Sequence, residues 1–375
     1  MKQQKFDFTK FIIFSLFIIF ICLCATGCNK EERPKNSGLV IFSTPARHSA
    51  EAKTADNLSA SPVKTPSPAA TVTLAPTPSP TPTPTQTPAP TPVPTIEVLP
   101  TQGTMIDEFV ELPIDFEEPT DPETFNDRTP LKQIRFKVGD PENKRNLSTE
   151  RVGHWFGKDT PAQPKRFQQH YEDMGWSALT VDRKATNKVI YLTFDCGYEN
   201  GQTIKILDTL KEKNVPAAFF VTMDYLLSAP DLAARMIAEG HIVGNHSDKH
   251  PDFSKISRTR MASELQRVEN YLRTHFGYST RYFRYPMGAY CDNSMELVTS
   301  LGYHSIFWSF AYDDYTEGLV RGKEYAFDKV TKSLHPGEVL LLHAISQDNA
   351  DALGDIIDYA RAQGYEFRAL DKYFG

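Results

Sequence analysis

Five groups of polar residues in the C-terminal half of the chain have types and spacings that chemistry could use. They are Asp195, the pair His246 and His250, Arg284, the pair Asp313 and Asp314, and His343. Two histidines four residues apart, with an open position beside them, suit a borderline divalent metal: Zn²⁺ first, with Co²⁺, Ni²⁺ or Mn²⁺ as alternatives. Such a cation polarises a carbonyl and acidifies bound water. Asp195 could take that water's proton and His343 could protonate a leaving group, each step contributing about 10²–10⁴-fold. Arg284 would keep Asp195 ionised, because an adjacent cation lowers a carboxylate pKa. Asp314 would fix the tautomer of His343 and support its charged form. Taken singly, each residue has a plainer use, as a helix cap, a structural ion pair, a loop histidine or a core histidine. Taken together they read as a metal-assisted amide or ester hydrolase.

What unites them is position. Each group directly follows a short apolar, β-branched or aromatic run. The runs predict strands over 189–194, 217–221, 241–244, 282–284, 305–308, 339–342 and 366–369. Amphipathic stretches lie between them. One stripe is Ile204, Leu207 and Leu210; a second is Met261, Leu265, Val268 and Leu272; a third is Ala352, Ile356, Tyr359 and Ala360. Strands that are apolar throughout, alternating with helices, imply a parallel sheet covered by helices. In a barrel of such strands the C-terminal strand ends meet on one face. Seven strands in the C-terminal half fit an α/β barrel slightly smaller than the eight-stranded kind.

The rest of the chain is unlike this. Thirteen of the 27 prolines fall between Pro62 and Pro100, mostly in Thr-Pro, Ser-Pro and Ala-Pro units. Such a segment cannot bury a core and favours extended polyproline II. At the N-terminus, Lys2, Lys5 and Lys10 precede an apolar run over 11–24, then Ala25-Thr26-Gly27-Cys28. That pattern is a secretory signal, with an uncleaved anchor as its alternative. Of 375 residues, 41 are Lys or Arg and 47 Asp or Glu, a formal net charge of −6. A mildly acidic chain has no electrostatic footprint for nucleic acid. Of the five cysteines, Cys196 and Cys291 lie beyond the signal, too few for a disulfide framework.

The residues resemble the motif set of the polysaccharide deacetylase family, carbohydrate esterase family four. Thr193-Phe194-Asp195 resembles its first motif and His246-Ser247-Asp248-Lys249-His250 its metal motif. Arg284-Tyr285-Pro286-Met287-Gly288, residues 308–315 and Leu341-Leu342-His343 resemble the remaining three. A narrower likeness, to the delta-lactam-biosynthetic de-N-acetylases, rests on 195–201, on 342–350 and on Trp155-Phe156-Gly157-Lys158.

The resemblance implies a distorted (β/α)7 barrel preceded by a disordered linker. It divides the chain into a lipoprotein-type signal peptide (1–27), a Pro/Thr-rich tether (28–130), an extension packing on the barrel (131–187) and a catalytic domain (188–375). Cys28 would be lipidated, holding a monomer on the outer face of the cytoplasmic membrane of a Gram-positive-type bacterium. The implied activity is metal-dependent removal of acetyl from N-acetylmuramic acid in peptidoglycan glycan strands, on the route to the muramic δ-lactam of spore cortex. Two alternatives are deacetylation of N-acetylglucosamine and a non-catalytic glycan-binding lipoprotein.

The chain departs from the family at Cys196, where most members have a metal-ligating Asp. Cys196 either ligates the metal as a thiolate or is a small buried residue pointing away. Met287 matches a position whose backbone N–H binds the oxyanion, and Tyr285 and Met287 are changed side chains that would bear on substrate contacts.

Overall fold

The structure, a computed structural model, describes residues 108–114, 124–154 and 162–375. The signal segment, Cys28, the Pro/Thr-rich segment and Trp155-Phe156-Gly157-Lys158 lie outside the described residues. Among the described residues no helix is long and apolar enough to cross a membrane.

Three short strands come first: β1 (Phe109–Glu111), β2 (Lys137–Gly139) and β3 (Val152–Gly153). The barrel strands are β4 (Ala178–Leu179), β5 (Val189–Cys196), β6 (Ala218–Val221), β7 (Ile242–Asn245), β8 (Tyr282–Phe283), β10 (His304–Ile306) and β11 (Glu338–His343). The short β9 (Ala289–Tyr290) pairs with β3 outside the barrel. The barrel strands run side by side in the order β11-β5-β6-β7-β8-β10-β4, all parallel. The ring closes where Phe310 bridges Leu340 and Val181 bridges Glu338.

All seven expected strands are present, but the last, β12 (Glu366–Phe367), pairs with the start of β5 off the ring. Its place as a stave is taken by β4, which is too short to show a pattern in sequence. The barrel therefore begins within the segment expected to be an extension.

β5 shows how one strand serves two cores. Successive side chains alternate between faces. Val189 and Tyr191 fill the barrel interior with Phe220, Tyr282, Ile306 and Val339. Ile190, Leu192, Phe194 and Cys196 face the helices instead. With both faces buried, β5 reads as a continuous apolar run.

The helices follow from their faces and caps. α1 (Ala162–Asp173) precedes β4, and α2 (Thr203–Lys213) buries Thr203, Ile206, Leu207 and Leu210. Leu207 and Leu210 of the expected stripe are buried, but Ile204 is half exposed and Ile206 takes its place. α3 (Met223–Ser228) and α4 (Pro230–Ala238) lead into β7. α5 (Arg258–Phe276) has the expected Met261, Leu265, Val268 and Leu272 stripe buried; Ser257 caps its start and a left-handed Gly277 ends it. α6 (Asp292–Ser300), α7 (Lys323–Thr331) and α8 (Gln347–Ala362) complete the layer, before the terminal α9 (Asp371–Phe374).

Regular structure also starts earlier than the composition suggests. β1 pairs with β2 although it lies in the segment expected to be irregular tether. Phe125 packs against the end of α5. The segment before α1 is held by side-chain amides of α5: Asn270 exchanges two hydrogen bonds with the backbone of Ile134, and Gln266 accepts from Phe136 N–H at 2.6 Å.

Candidate active site

The C-terminal strand ends surround a cavity of about 450 Å³. Among its walls are Asp195, His246, His250, Met287, Trp308, Tyr315 and His343. Register brings the first and last expected residues together, since β5 and β11 pair with His343 directly beside Asp195.

Arg284 follows β8 and is fully buried. Its guanidinium donates to Asp195 Oδ1 at 2.8 Å, Thr193 Oγ1 at 2.9 Å, and the carbonyls of Ile306 and Phe307 at 2.9 and 3.0 Å. Its flat face lies over the Phe220 ring, 4.3 Å from the centroid. Burial works against an Asp195 carboxylate, but the charge and hydrogen bond of Arg284 outweigh it and hold the carboxyl below its usual range.

His246 stands at the end of β7. Its Nδ1 donates to Arg284 O at 2.9 Å, which fixes the tautomer and leaves the Nε2 lone pair free. Burial holds the ring pKa at about 4, so the imidazole is neutral near pH 7. Nε2 lies 3.6 Å from Asp195 Oδ2. Two acceptors face each other there, an arrangement that a cation stabilises. The His250 ring lies 4.9 Å from that of His246, and burial lowers its pKa too. Among the described residues no group of three or more His, Cys, Asp or Glu side chains forms a ligand set. The donors that fit a divalent metal are thus two neutral imidazoles, the usual borderline-metal ligand, with one oriented by a backbone carbonyl behind it.

Cys196 does not join them. Strand alternation turns it away from Asp195 into the helical layer, where it is fully buried beside Phe194 and Ile206. Burial pushes its thiol well above the usual range, so the thiolate needed for ligation is disfavoured. Cys196 and Cys291 are both free.

Tyr285 is also placed differently from expectation. It is 1% exposed, stacked on Phe307 and edge-on to Phe253, and does not line the cavity. Alternation again explains this, because Arg284 points inward and its neighbour must point out. Met287, by contrast, is 54% exposed at the cavity rim. Its backbone is left-handed, with φ 57°. Among the described residues seven non-glycine residues have positive φ; four are Asn or Asp, which tolerate it, and the others are Ser247, His250 and Met287. All three of these lie in the metal-motif loop or the arginine-motif loop. Held strain of this kind concentrates at functional loops. Gly288 follows with φ +59°, and a Cβ there would come within 2.6 Å of Trp308.

On the strand next to β5, His343 ends β11, beside Asp195. Its Nδ1 donates to Asp314 Oδ1 at 2.7 Å, and its backbone N–H donates to Asp314 Oδ2 at 2.8 Å. The recessed setting disfavours a charged ring, but the Asp314 charge and hydrogen bond outweigh it and raise the pKa above the ordinary value. The imidazoles are therefore tuned oppositely: His246 and His250 are held neutral, and His343 is readily protonated. Sequence reasoning missed Thr193, which helps seat Arg284, and Asn349, which donates to Asp314 Oδ2 at 2.5 Å.

A nearly closed parallel barrel carrying an Asp–Arg pair, two histidines and an Asp–His pair on one rim defines a class of hydrolase. Residues 182–306 match the family model for polysaccharide deacetylase. The chain belongs to that family, whose members hydrolyse N-acetyl amide bonds and are metal-dependent in general. It is 48% identical over 222 residues to an uncharacterised 30.6 kDa protein of Geobacillus stearothermophilus, covering 58% of this chain and 83% of the relative. It is 43% identical over 185 residues to the peptidoglycan-N-acetylmuramic acid deacetylase PdaA of Bacillus subtilis, covering 49% of this chain and 70% of that protein. The solved structure of PdaA, a family 4 carbohydrate esterase, superposes with a TM-score of 0.56 at 38% identity, over 60% of this chain and 97% of that one.

Two expectations follow. In a zinc titration by calorimetry, Cys196→Ser should bind as wild type does, to within about twofold; a loss of tenfold or more would return Cys196 to the ligand set. Asp314→Asn should lower kcat by about 10²-fold. It should also move the alkaline limb of the pH–rate profile to lower pH, because an acid that must be protonated loses the charge that raises its pKa. The stabilisation that Asp314 gives protonated His343 is complete below the unfolded histidine value of ~6.5 and is lost as pH rises through the raised folded value. An unmoved alkaline limb would contradict the pairing's role.

Proposed function

We propose that the chain is a membrane-tethered, metal-dependent peptidoglycan N-deacetylase that removes acetyl from N-acetylmuramic acid, the step that precedes muramic δ-lactam in spore cortex. The observation that carries the reading is the opposed tuning of Asp195 and His343, side by side in one cavity. The identity to PdaA over most of that protein's length supports the sugar.

His246 and His250 would hold a divalent cation, with zinc first among candidates, which when bound supplies Lewis-acid polarisation of the acetamide carbonyl. Asp195, kept ionised by Arg284, takes a proton from the attacking water as the water oxygen bonds to the carbonyl carbon. The Met287 N–H, on a backbone already bent into the left-handed region, faces the oxygen that gathers charge. His343 then gives its proton from Nε2 to the sugar nitrogen as the C–N bond breaks, leaving acetate and a free amine. Tyr315 and Trp308 offer aromatic faces to the sugar ring. The basic, apolar, small-residue N-terminus ending at Cys28 and the Pro/Thr-rich tether support a lipid anchor on the outer face of a Gram-positive-type cytoplasmic membrane, with the barrel held out toward the wall.

Purified protein incubated with peptidoglycan glycan strands and zinc should release acetate, and His343→Ala should lower the rate by about 10²-fold or more. If wild type releases no more acetate than His343→Ala, the reading fails.

A further inference from the structure

Asn349 is fully buried in the first turn of α8, whose N-cap Ser346 accepts its backbone N–H at 3.2 Å. Its side chain does nothing for the helix. Nδ2 donates to Asp314 Oδ2 at 2.5 Å and, more weakly, to His343 O at 3.4 Å. Oδ1 accepts from the hydroxyl of Tyr312, which is itself buried at the cavity wall. Both amide hydrogens thus go to the two residues that build the acid. A flipped amide would set Oδ1 against a carboxylate and a carbonyl, so the orientation is determined by its acceptors. The neighbouring Asp348 accepts the backbone N–H groups of Arg321 and Gly322 at 2.8 and 3.0 Å, so the same helical turn also ties down the loop after Asp314.

We infer that Asn349, oriented by Tyr312, is a positioning residue for the deacetylation: it holds Asp314 so that both carboxylate oxygens serve His343. Asp314 has two jobs toward His343, one on the ring and one on the backbone. A carboxylate free to turn about its last torsion loses one or both. The Asn349 amide bridges Asp314 and the His343 carbonyl and so closes a ring between the end of β11 and the 312–314 segment. Tyr312 sits one step further out and acts only through Asn349. The inference rests on the reading of His343 as the proton donor.

The test compares the purified full chain as Asn349→Leu, Tyr312→Phe, the double variant and His343→Ala on glycan strands. Asn349→Leu should lower kcat by about tenfold or more with KM within about twofold, because the group touches no substrate. Tyr312→Phe should lower kcat by a smaller factor, about two- to fivefold. The double variant should be no worse than Asn349→Leu alone, since the two act in series. The downfield proton resonance of His343 Nδ1 should move upfield in both single variants. A merely structural role predicts a lower Tm with kcat and that resonance unchanged, and this result overturns the inference. Effects that multiply in the double variant overturn it as well. If Asn349→Leu does not fold, Tyr312→Phe decides: lowered kcat with a shifted resonance supports the inference, and wild-type values for both overturn it. Should His343→Ala keep the wild-type rate, the donor assignment falls and the inference with it. An inactive His343→Ala beside a fully active Asn349→Leu removes only the Asn349 role.

Discussion

A single buried cation organises this barrel. Arg284 has no exposed surface, and a guanidinium in such a place is tolerated only when its donors are met. It meets them from two strands, Asp195 and Thr193 of β5 and the carbonyls of Ile306 and Phe307 at and just beyond the end of β10, while the residue itself follows β8. Those strands must therefore stand in the observed register. Removing one partner of a buried pair of this kind typically costs about 3–5 kcal/mol. Asp195 is consequently both a requirement of the fold and the ionised carboxylate of the site.

The rest of the site is arranged around that pair. The carbonyl of Arg284 fixes the His246 tautomer, so the residue that holds the base ionised also points a neutral imidazole at it. A second carboxylate, Asp314, is paired with the His343 imidazole instead of a guanidinium, and the pairing favours the protonated ring. Two carboxylates with two different partners give an ionised carboxylate and a readily protonated imidazole within one small space, the base and acid of the proposed reaction. Pushing the protonation states of neighbouring groups apart in this way is how a single site performs both proton transfers near neutral pH.

Much of this was legible in the sequence, because strand ends announce themselves: an apolar run stops and Asp195, His246, Arg284 or His343 follows within a residue or two. Tyr285, expected at the substrate, and Cys196, for which the sequence left open ligation or burial, each adjoin an inward-facing residue, and the period-two rule turns both away. β4 was invisible because two residues carry no periodicity, although they complete the ring. Asn349 stood in the sequence only as one residue of the 342–350 motif, with no role of its own. Its partners, Asp314 and Tyr312, lie 35 and 37 positions away, a separation that only the closed barrel brings into contact.

A sugar ring is consistent with a cavity wall that includes aromatic and apolar groups such as Trp308, Tyr315 and Leu341 beside Asp195 and His343. The most direct test of the central claim is mass spectrometry of glycan strands digested after treatment with the protein and zinc. The account predicts muramic acid residues that have lost one acetyl group, with the new free amine on that sugar. Free amine found on glucosamine alone, with every muramic acid still acetylated, would contradict it.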